Sequence, residues 1–328
     1  MYNGVMNHIT VSAPGKLLLF GEHAAVYRHP CIVTAVGMRM NLTLEKTSGK
    51  DFILDAPDVG VSGYTKHLSS LGTGDIPKGV RFIEQALKNF LEIYPQTGGF
   101  HVTTASEFSC DVGFGSSSAS TVCMVKALSE IFDVHLDNAN IFQIAYKTIL
   151  DIQKRGSGFD VAAAIWGGTI NFVTGGVVID SISVPVIPLV IGYTGVKADT
   201  ADIVGDVASK REKFPEKVNR IFDAVEKITV EARQKIVEGD WERVGILMNY
   251  NQEYLRDLGV STEKLESMIS AAKKSGAWGA KLSGAGGGDC MIALVSDDKR
   301  KIVGEAITGE GGQVIEVAVN APGVRVEA

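Results

Sequence analysis

Residues 111–121, with the sequence DVGFGSSSAST, are suited to holding a phosphorylated ligand. Glycines lie on both sides of Phe114, three serines follow, and an apolar pattern typical of a helix continues from Val122. The N–H groups at the start of a helix have no helical acceptor, and the helix dipole adds positive potential there. Such a turn can bind a polyphosphate without a group of lysines. The segment alone leaves a second interpretation open, a helix that is simply capped by serine.

A second group of polar residues flanks a short apolar run near the N-terminus. Lys16 precedes the apolar residues 17–20, and Glu22 and His23 follow them at a turn. Charged residues at turns commonly lie on the surface, and this interpretation stays open for each of the three. Lysine is rarely buried without a partner, and Lys16 begins an apolar strand. The sequence therefore predicts an acidic partner for Lys16.

Two later segments complete the set of residues that could do chemistry. Asp160 stands where the loop RGSGF passes into an apolar helix, so its carboxylate is an N-cap, a group with a chemical task, or both. Residues 283–289, with the sequence SGAGGGD, place four glycines between two apolar strands. Glycine lets a backbone approach a ligand closely, although a flexible hairpin tip could have this composition too.

The elements that position these residues follow from hydrophobic periodicity. Helices are predicted at 80–94, from 116, at 140–152, from 160, at 218–236, at 241–258 with Gly259 as its end, and at 262–275. Strands are predicted at 9–12, 16–20, 32–36, 41–44, 100–104, 169–173, 189–193 and 314–319, and on both sides of the glycine loop, with a hairpin between 47 and 79. Strands and segregated helices in both halves indicate an α+β protein of two lobes, at 1–185 and 186–328.

Composition and charge disfavour several classes of protein. The chain has 328 residues, of which 45% are hydrophobic, and a formal net charge of −6, which disfavours nucleic acid and anionic membranes as partners. The four cysteines form no CxxC pair, so neither a zinc site nor a disulfide framework is expected. Without a secretory signal or a long apolar span, a soluble, cytoplasmic protein is expected.

The motifs VSAPGKLLLFGEHAAVY, DVGFGSSSAS, GSGFDVAAAIWGG and KLSGAGGGDCMIAL, in this order, resemble those of the GHMP small-molecule kinases. Within that superfamily, GEHAAVY is most similar to the mevalonate kinases, and the chain length is similar to their compact archaeal type. The resemblance implies an α+β fold of two lobes. The first is an N-terminal ATP-binding lobe, similar to a ribosomal protein and containing a left-handed βαβ unit. The second is a C-terminal ferredoxin-like lobe.

The resemblance also implies roles for individual residues. Asp160 would be the carboxylate beside the acceptor hydroxyl, with Lys16 paired to it, and Ser117 would ligate Mg²⁺. Glu22 and His23 would lie in the acceptor pocket, and the loop containing Gly284, Ala285 and Gly286 would close on the substrate. The ATP phosphates would lie against Gly113, Phe114, Gly115, Ser116, Ser117 and Ser118. A lysine beside a carboxylate lowers the pKa of that carboxylate, so we expect Asp160 to be ionised without a raised pKa.

The chain departs from the family pattern in places that bear on metal and acceptor. Mevalonate kinases generally have a glutamate ligand to Mg²⁺ eleven residues before the aspartate, where this chain has Ile149. Asp151 is close but lies on another helix face, so Ser117 is expected to be the only direct protein ligand unless the helix is irregular. GSGFDVAAA is more similar to phosphomevalonate kinases, whose acceptor would need extra cations. Candidates for those cations are Arg28, Arg39, Lys154, Arg155 and Lys197.

The function expected from the sequence is ATP- and Mg²⁺-dependent phosphorylation of the mevalonate 5-hydroxyl in isoprenoid precursor biosynthesis. Two alternatives stay open, a kinase of a phosphorylated mevalonate and a catalytically silent protein of the same fold that only binds. The expected partner is a small-molecule acceptor, with no nucleic acid and no membrane, and a homodimer is possible.

Overall fold

The first part of the chain contributes most of the strands. The structure is a computed structural model that describes residues 7–184 and 186–327. The elements before residue 185 are β1 (His8–Phe20), β2 (Cys31–Thr47), β3 (Asp51–Ala56), β4 (Val61–His67), α1 (Arg81–Ile93), β5 (Gly99–Ser106), α2 (Ser116–Ile131), α3 (Asn138–Gln153), α4 (Phe159–Trp166), β6 (Thr169–Val173) and β7 (Val178–Ile182). A short 3-10 turn, Ala24–Tyr27, joins β1 to β2.

The second part of the chain is mainly helical. Its elements are β8 (Leu189–Tyr193), α5 (Thr200–Lys213), α6 (Pro215–Glu238), α7 (Trp241–Leu258), α8 (Glu263–Lys274), β9 (Gly279–Ser283), β10 (Cys290–Leu294), α9 (Arg300–Gly309), β11 (Gln313–Ile315) and β12 (Arg325–Val326). Among the residues described, no helix is both long enough and apolar enough to cross a membrane.

Two sheets organise these elements. The larger has the order β12-β1-β2-β5-β3-β4, and β6 and β7 extend it from the first half of β2. Within it β3 and β5 run parallel, whereas the other described pairs are antiparallel. The smaller sheet has the antiparallel order β11-β8-β10-β9. The predicted lobe boundary falls at Pro185, outside the described residues, and stays a prediction.

The centre of the molecule is β1, which explains its unusual run of apolar residues. Helices α2 and α4 pack against β1, and α6 and β9 of the second part also contact it. Leu17, Leu18, Leu19 and Phe20 are consequently all buried, although alternate residues of a strand point to opposite faces. The residues that begin and follow this run are therefore held inside the molecule.

Most predicted elements are confirmed, and their errors have local causes. Residues 9–20 form one strand rather than two, because a register shift between Pro14 and Gly15 lets pairing with β2 continue past the turn-like sequence. The strand predicted at 314–319 covers only Gln313–Ile315, and Val319 adds a single bridge to Val36. The 47–79 hairpin is confirmed as β3 and β4, and Gly259 ends α7 in the left-handed conformation as predicted.

Candidate active site

The loop before α2 forms a cradle of free N–H groups. In the described part of the chain, no hydrogen bond uses the N–H groups of residues 113–117. Gly113 and Gly115 have φ values of 78° and 81°, which glycine adopts without strain. Phe114 is buried and anchors the loop, since its carbonyl oxygen accepts a 2.9 Å hydrogen bond from the Lys16 N–H. The loop can therefore bind an anion along its exposed N–H edge.

The three serines differ in their exposure and hydrogen bonding. Ser116 and Ser117 are partly exposed, and the Ser117 hydroxyl makes no hydrogen bond to another described residue. Ser118 is only 3% exposed, and its N–H donates to the Gly115 carbonyl. The first turn of α2 therefore already uses the Ser118 N–H, and the phosphate contact predicted for Ser118 stays a prediction.

Lys16 and Asp160 meet beside the cradle, although 144 positions separate them in the sequence. The Lys16 Nζ lies 3.7 Å from Asp160 Oδ1 and donates a 3.0 Å hydrogen bond to the Gly113 carbonyl. The acidic partner predicted for Lys16 is thus present. A side chain at position 115 would place its Cβ 3.2 Å from Lys16 Cε and 3.9 Å from Asp160 Cβ. Glycine at this position lets the loop, the lysine and the aspartate approach one another.

Asp160 is the second residue of α4, and Gly158 occupies the N-cap position, so the N-cap interpretation is wrong. Its side chain is one-third exposed, at 34%. Oδ1, however, is buried and accepts no hydrogen bond from any described residue. A buried carboxylate oxygen without a donor is costly unless a ligand supplies one. The geometry leaves this oxygen free to accept the hydroxyl proton of a bound substrate.

The expectation that the pKa of Asp160 is not raised is wrong. Burial raises the pKa of the Asp160 carboxyl above its ordinary value, and the nearby Lys16 ammonium offsets only part of that effect. The lysine charge alone would lower this pKa, but desolvation of the carboxylate outweighs it. A carboxylate with a raised pKa is a stronger base than an ordinary aspartate, which suits proton abstraction from a hydroxyl.

The glycine-rich loop of the second part is fixed to the end of β1. Ser283 Oγ accepts a 3.1 Å hydrogen bond from the Leu18 N–H and donates a 2.9 Å bond to the Leu18 carbonyl. His23 Nε2 lies 2.8 Å from the Ala285 carbonyl oxygen. Gly286 allows a close crossing of the chain, since a Cβ there would lie 2.3 Å from the Val260 carbonyl oxygen. The loop is thereby held over the same region as the cradle.

Glu22 and Lys281 form a fully buried ion pair beneath this loop. Burial raises the pKa of the Glu22 carboxyl even though Lys281 lies beside it. Glu22 is 0% exposed, and its predicted place in the acceptor pocket stays a prediction. Burial also lowers the pKa of His23 to about 4, which makes its imidazole neutral at pH 7. Its contact with an acceptor stays a prediction.

Sequence reasoning gave no role to Asp289, which lies against the cradle. A Cβ at Gly113 would lie 2.7 Å from Asp289 Oδ2, and the other oxygen accepts a 2.9 Å hydrogen bond from the Ala198 N–H. Lys197, from the same connection between β8 and α5, contacts Asp111 Oδ1 at 3.1 Å. The signal in the sequence was an acidic residue directly after a run of three glycines, 286–288. Its carboxylate would face a bound polyphosphate at short range.

The residues present fit a magnesium ion bound largely through phosphates. Ile149 is buried and has no ligand atom, and Asp151 Oδ2 is hydrogen bonded to Asn89 at 2.9 Å and Lys147 at 2.7 Å. Asp151 therefore joins α3 to α1 rather than serving a metal. The free hydroxyl of Ser117 is a suitable hard oxygen ligand, and Mg²⁺ commonly keeps several waters. No cluster of three ligating side chains occurs among the residues described.

The other predicted cations are scattered. Arg39 is buried and donates to the carbonyls of Pro322 and Gly323, so it fixes the C-terminal segment and cannot serve an acceptor. Arg28 is exposed at the end of the 3-10 turn. Lys154 and Arg155 line a cavity beside that turn. The sequence could not distinguish these environments.

The comparisons with known proteins agree with the motifs. The family model described as "GHMP kinases N terminal domain" matches residues 81–168, and "GHMP kinases C terminal" matches residues 232–313. The mevalonate kinase of Pyrococcus furiosus is 33% identical over 331 residues, covering 97% of this chain and 98% of that protein. The mevalonate kinase of Thermococcus sibiricus is 31% identical over 330 residues, with the same coverage.

Solved structures share the whole fold. The Methanococcus jannaschii mevalonate kinase has a TM-score of 0.81 and 26% identity, covering 95% of this chain and 98% of that one. The L. major mevalonate kinase in complex with R-mevalonate has a TM-score of 0.77 and 26% identity, with 95% of each chain covered. The α+β fold expected from the motifs is therefore confirmed.

Proposed function

The chain belongs to the mevalonate kinase family of GHMP kinases, and from this premise we propose that it transfers the γ-phosphoryl group of ATP to the 5-hydroxyl of mevalonate. The observation that carries the proposal is the buried, unpartnered Asp160 Oδ1 beside both Lys16 and a cradle of free N–H groups. A hydroxyl donor, a base and a phosphate site can meet there.

The proposed reaction uses these groups in one displacement. Asp160 Oδ1 accepts the proton of the 5-hydroxyl as its oxygen bonds to the γ-phosphorus, and the bond from that phosphorus to the bridging oxygen breaks to release ADP. The N–H groups of residues 113–117 hold the phosphates, and Lys16 places positive charge beside Asp160. Magnesium bound with the nucleotide, with Ser117 as a ligand, would neutralise phosphate charge.

The glycine-rich loop of the second part positions the substrate and does not take part in the chemistry. The Glu22–Lys281 pair and the Ser283–Leu18 bonds fix residues 284–286 relative to β1, which also carries Lys16. Phosphoryl transfer depends mainly on positioning and charge neutralisation. We therefore assign Glu22 to holding this loop. Contact of the acceptor with Glu22, His23, Gly284, Ala285 and Gly286 remains part of the proposal.

Two other functions are less well supported. A phosphorylated mevalonate as acceptor rested on the GSGFD segment, whereas the relatives that cover the whole chain are mevalonate kinases. A silent binding protein would have no chemical reason to retain Lys16, Ser117 and Asp160 together. A homodimer and a cytoplasmic location stay predictions.

An ADP-release assay tests the proposal, with mevalonate, phosphomevalonate or no acceptor added. We expect turnover with mevalonate alone, and Asp160→Asn should reduce kcat by at least about 100-fold. Nucleotide binding, measured by calorimetry with the unreactive analogue AMPPNP, should survive because the cradle is intact. Turnover of Asp160→Asn near that of the native protein would overturn the assignment of the base, and turnover with phosphomevalonate alone would overturn the acceptor.

A further inference from the structure

A carboxylate from the second part of the chain, that of Asp289, lies beside the phosphate cradle. A Cβ at Gly113 would lie 2.7 Å from Asp289 Oδ2 and 2.8 Å from its Cγ, so a larger residue there would clash with this carboxylate. Glycine at position 115 lets Lys16 and Asp160 approach the cradle in the same way. Acidic groups therefore approach the cradle at both glycines, and the proposed roles of Lys16 and Asp160 leave Asp289 without a task.

The Asp289 carboxylate is held by one oxygen and directs the other at the cradle. Oδ1 accepts a 2.9 Å hydrogen bond from the Ala198 N–H. The Asp289 backbone is bonded to the same connection, since its N–H donates to the Val196 carbonyl and its carbonyl accepts from the Thr194 N–H. Oδ2 accepts no hydrogen bond from any residue within 7–184 and 186–327. A carboxylate oxygen without a donor is therefore presented to whatever the cradle binds.

The charges around the cradle do not balance once a nucleotide is bound. Lys16 pairs with Asp160 at 3.7 Å, and Lys197 pairs with Asp111 at 3.1 Å. Asp289 takes part in no ion pair in the described part of the chain. A triphosphate in the cradle adds several negative charges close to this carboxylate, and like charges repel strongly where water is partly excluded. A divalent cation held by both groups would replace this repulsion by attraction.

Helix α3 does not supply a carboxylate for such a cation. Ile149 has no ligand atom, and Asp151 Oδ2 is already hydrogen bonded to Asn89 at 2.9 Å. Mg²⁺ prefers oxygen ligands and is commonly held by one or two carboxylates together with the phosphates of its substrate. Because Asp160 is assigned to the hydroxyl proton, Asp289 is the carboxylate at the cradle that has an oxygen to spare.

We propose that Asp289 Oδ2 is a direct ligand of the magnesium ion that is bound with the nucleotide, in addition to Ser117. The second part of the chain then supplies the carboxylate and the first part supplies the hydroxyl, while phosphates and water complete the octahedral set that Mg²⁺ requires. The inference rests on the proposed binding of the ATP phosphates in the cradle. It gives the acidic residue after the glycine run a function that repulsion of phosphates alone does not.

Counting the water molecules on the metal ion tests the ligation directly. Mn²⁺ replaces Mg²⁺ in the AMPPNP complex of the full chain, and electron paramagnetic resonance in ¹⁷O-enriched water gives the number of waters bound to the ion. In Asp289→Gly we expect one more bound water than in the native protein, because water takes the place of the lost oxygen. Glycine adopts the φ of 53° found at this position without strain, so the variant should fold.

The affinity of Mn²⁺ for the complex of protein and AMPPNP should fall in the same variant. We expect a loss of at least about tenfold, since the affinity of a hard cation depends on the number of its charged ligands. Asp289→Asn is the second variant. Its amide oxygen can keep the bond from the Ala198 N–H, which places the NH₂ group where Oδ2 was, so this variant should also gain one water. It thereby separates metal ligation from the hold on the connection.

A matched control removes another carboxylate beside the same loop. Asp111→Asn should leave the number of bound waters unchanged, because the Asp111 carboxylate already pairs with Lys197. An unchanged number of waters in both Asp289 variants would overturn the proposal, as would the same gain of water in the control. If Mn²⁺ and AMPPNP did not bind the native protein, the proposed nucleotide site would fail and this inference with it. Turnover with mevalonate tests the proposed acceptor independently, because no acceptor is present in these measurements.

Discussion

Replacement of Lys16 by methionine should shift the pH dependence of turnover in a direction that the structure specifies. Asp160 must be deprotonated to accept a proton, so kcat/KM falls as the pH decreases through the pKa of Asp160. Burial raises that pKa, and Lys16 lowers it. Removing the lysine charge therefore raises the pKa further and moves the acid limb of the profile to higher pH.

The size of the shift follows from the geometry of the pair. At 3.7 Å, two unit charges interact by about 4.5 kcal/mol at an effective dielectric constant of 20 and by about 1 kcal/mol in water. The Lys16 side chain is 10% exposed and that of Asp160 is 34% exposed, so solvent reduces the larger value. We expect the acid limb to move upward by about 1 to 3 pH units.

The measurement is kcat/KM for mevalonate from initial rates of ADP release between about pH 5 and pH 9, since this quantity reports the free enzyme. Lys16→Arg is the control because it keeps the charge. The maximum kcat/KM of Lys16→Arg should fall, since the Lys16 side chain lies close to Gly115. The acid limb of its pH profile should stay near the native position. If Lys16→Met lowers the plateau and leaves the limb where it is in the native protein, the lysine charge does not act on Asp160.

Two further predictions concern the buried pair and the cradle. Lys281→Met should lower the free energy of unfolding by about 3–5 kcal/mol, because it leaves Glu22 buried without a counter-charge. The double variant Glu22→Gln/Lys281→Met should recover most of the loss. Urea unfolding measures the free energy for both variants, and strictly additive losses from the two substitutions would contradict the coupling. Asp289→Asn should tighten binding of metal-free AMPPNP relative to its magnesium complex, because the Asp289 carboxylate lies against Gly113 and repels bare phosphates. Calorimetry with and without EDTA measures the ratio of the two affinities. An unchanged ratio would show that the Asp289 carboxylate does not repel the bound phosphates.

Much of the fold could be predicted because its signals are local. The apolar periods of α1, α3, α6 and α7 give helix positions to within two or three residues at most ends, since one helix face is buried in each. The strand errors arose where pairing with a distant strand overrode a local signal. The Pro14–Gly15 sequence resembles a turn, yet the partner strand β2 carries the ladder across it.

The sequence indicates which residues could form the candidate site and only partly how they are arranged. The glycines and serines of residues 111–118 indicate a phosphate loop because backbone conformation and helix capping are properties of a short segment. Which of them offers a free N–H depends on the first turn of α2, where the Ser118 N–H is already bonded. The roles of Ser117 and His23 remain predictions.

By itself, the sequence determined the helices, the glycine loops and the presence of a lysine that needs an acidic partner. Tertiary structure decided which charges meet, since Lys16 and Asp160 are 144 positions apart and Glu22 and Lys281 are 259 positions apart. Tertiary structure also decided the direction in which the pKa of Asp160 is shifted. Desolvation depends on everything that surrounds the carboxylate, whereas the sequence shows only its neighbours along the chain.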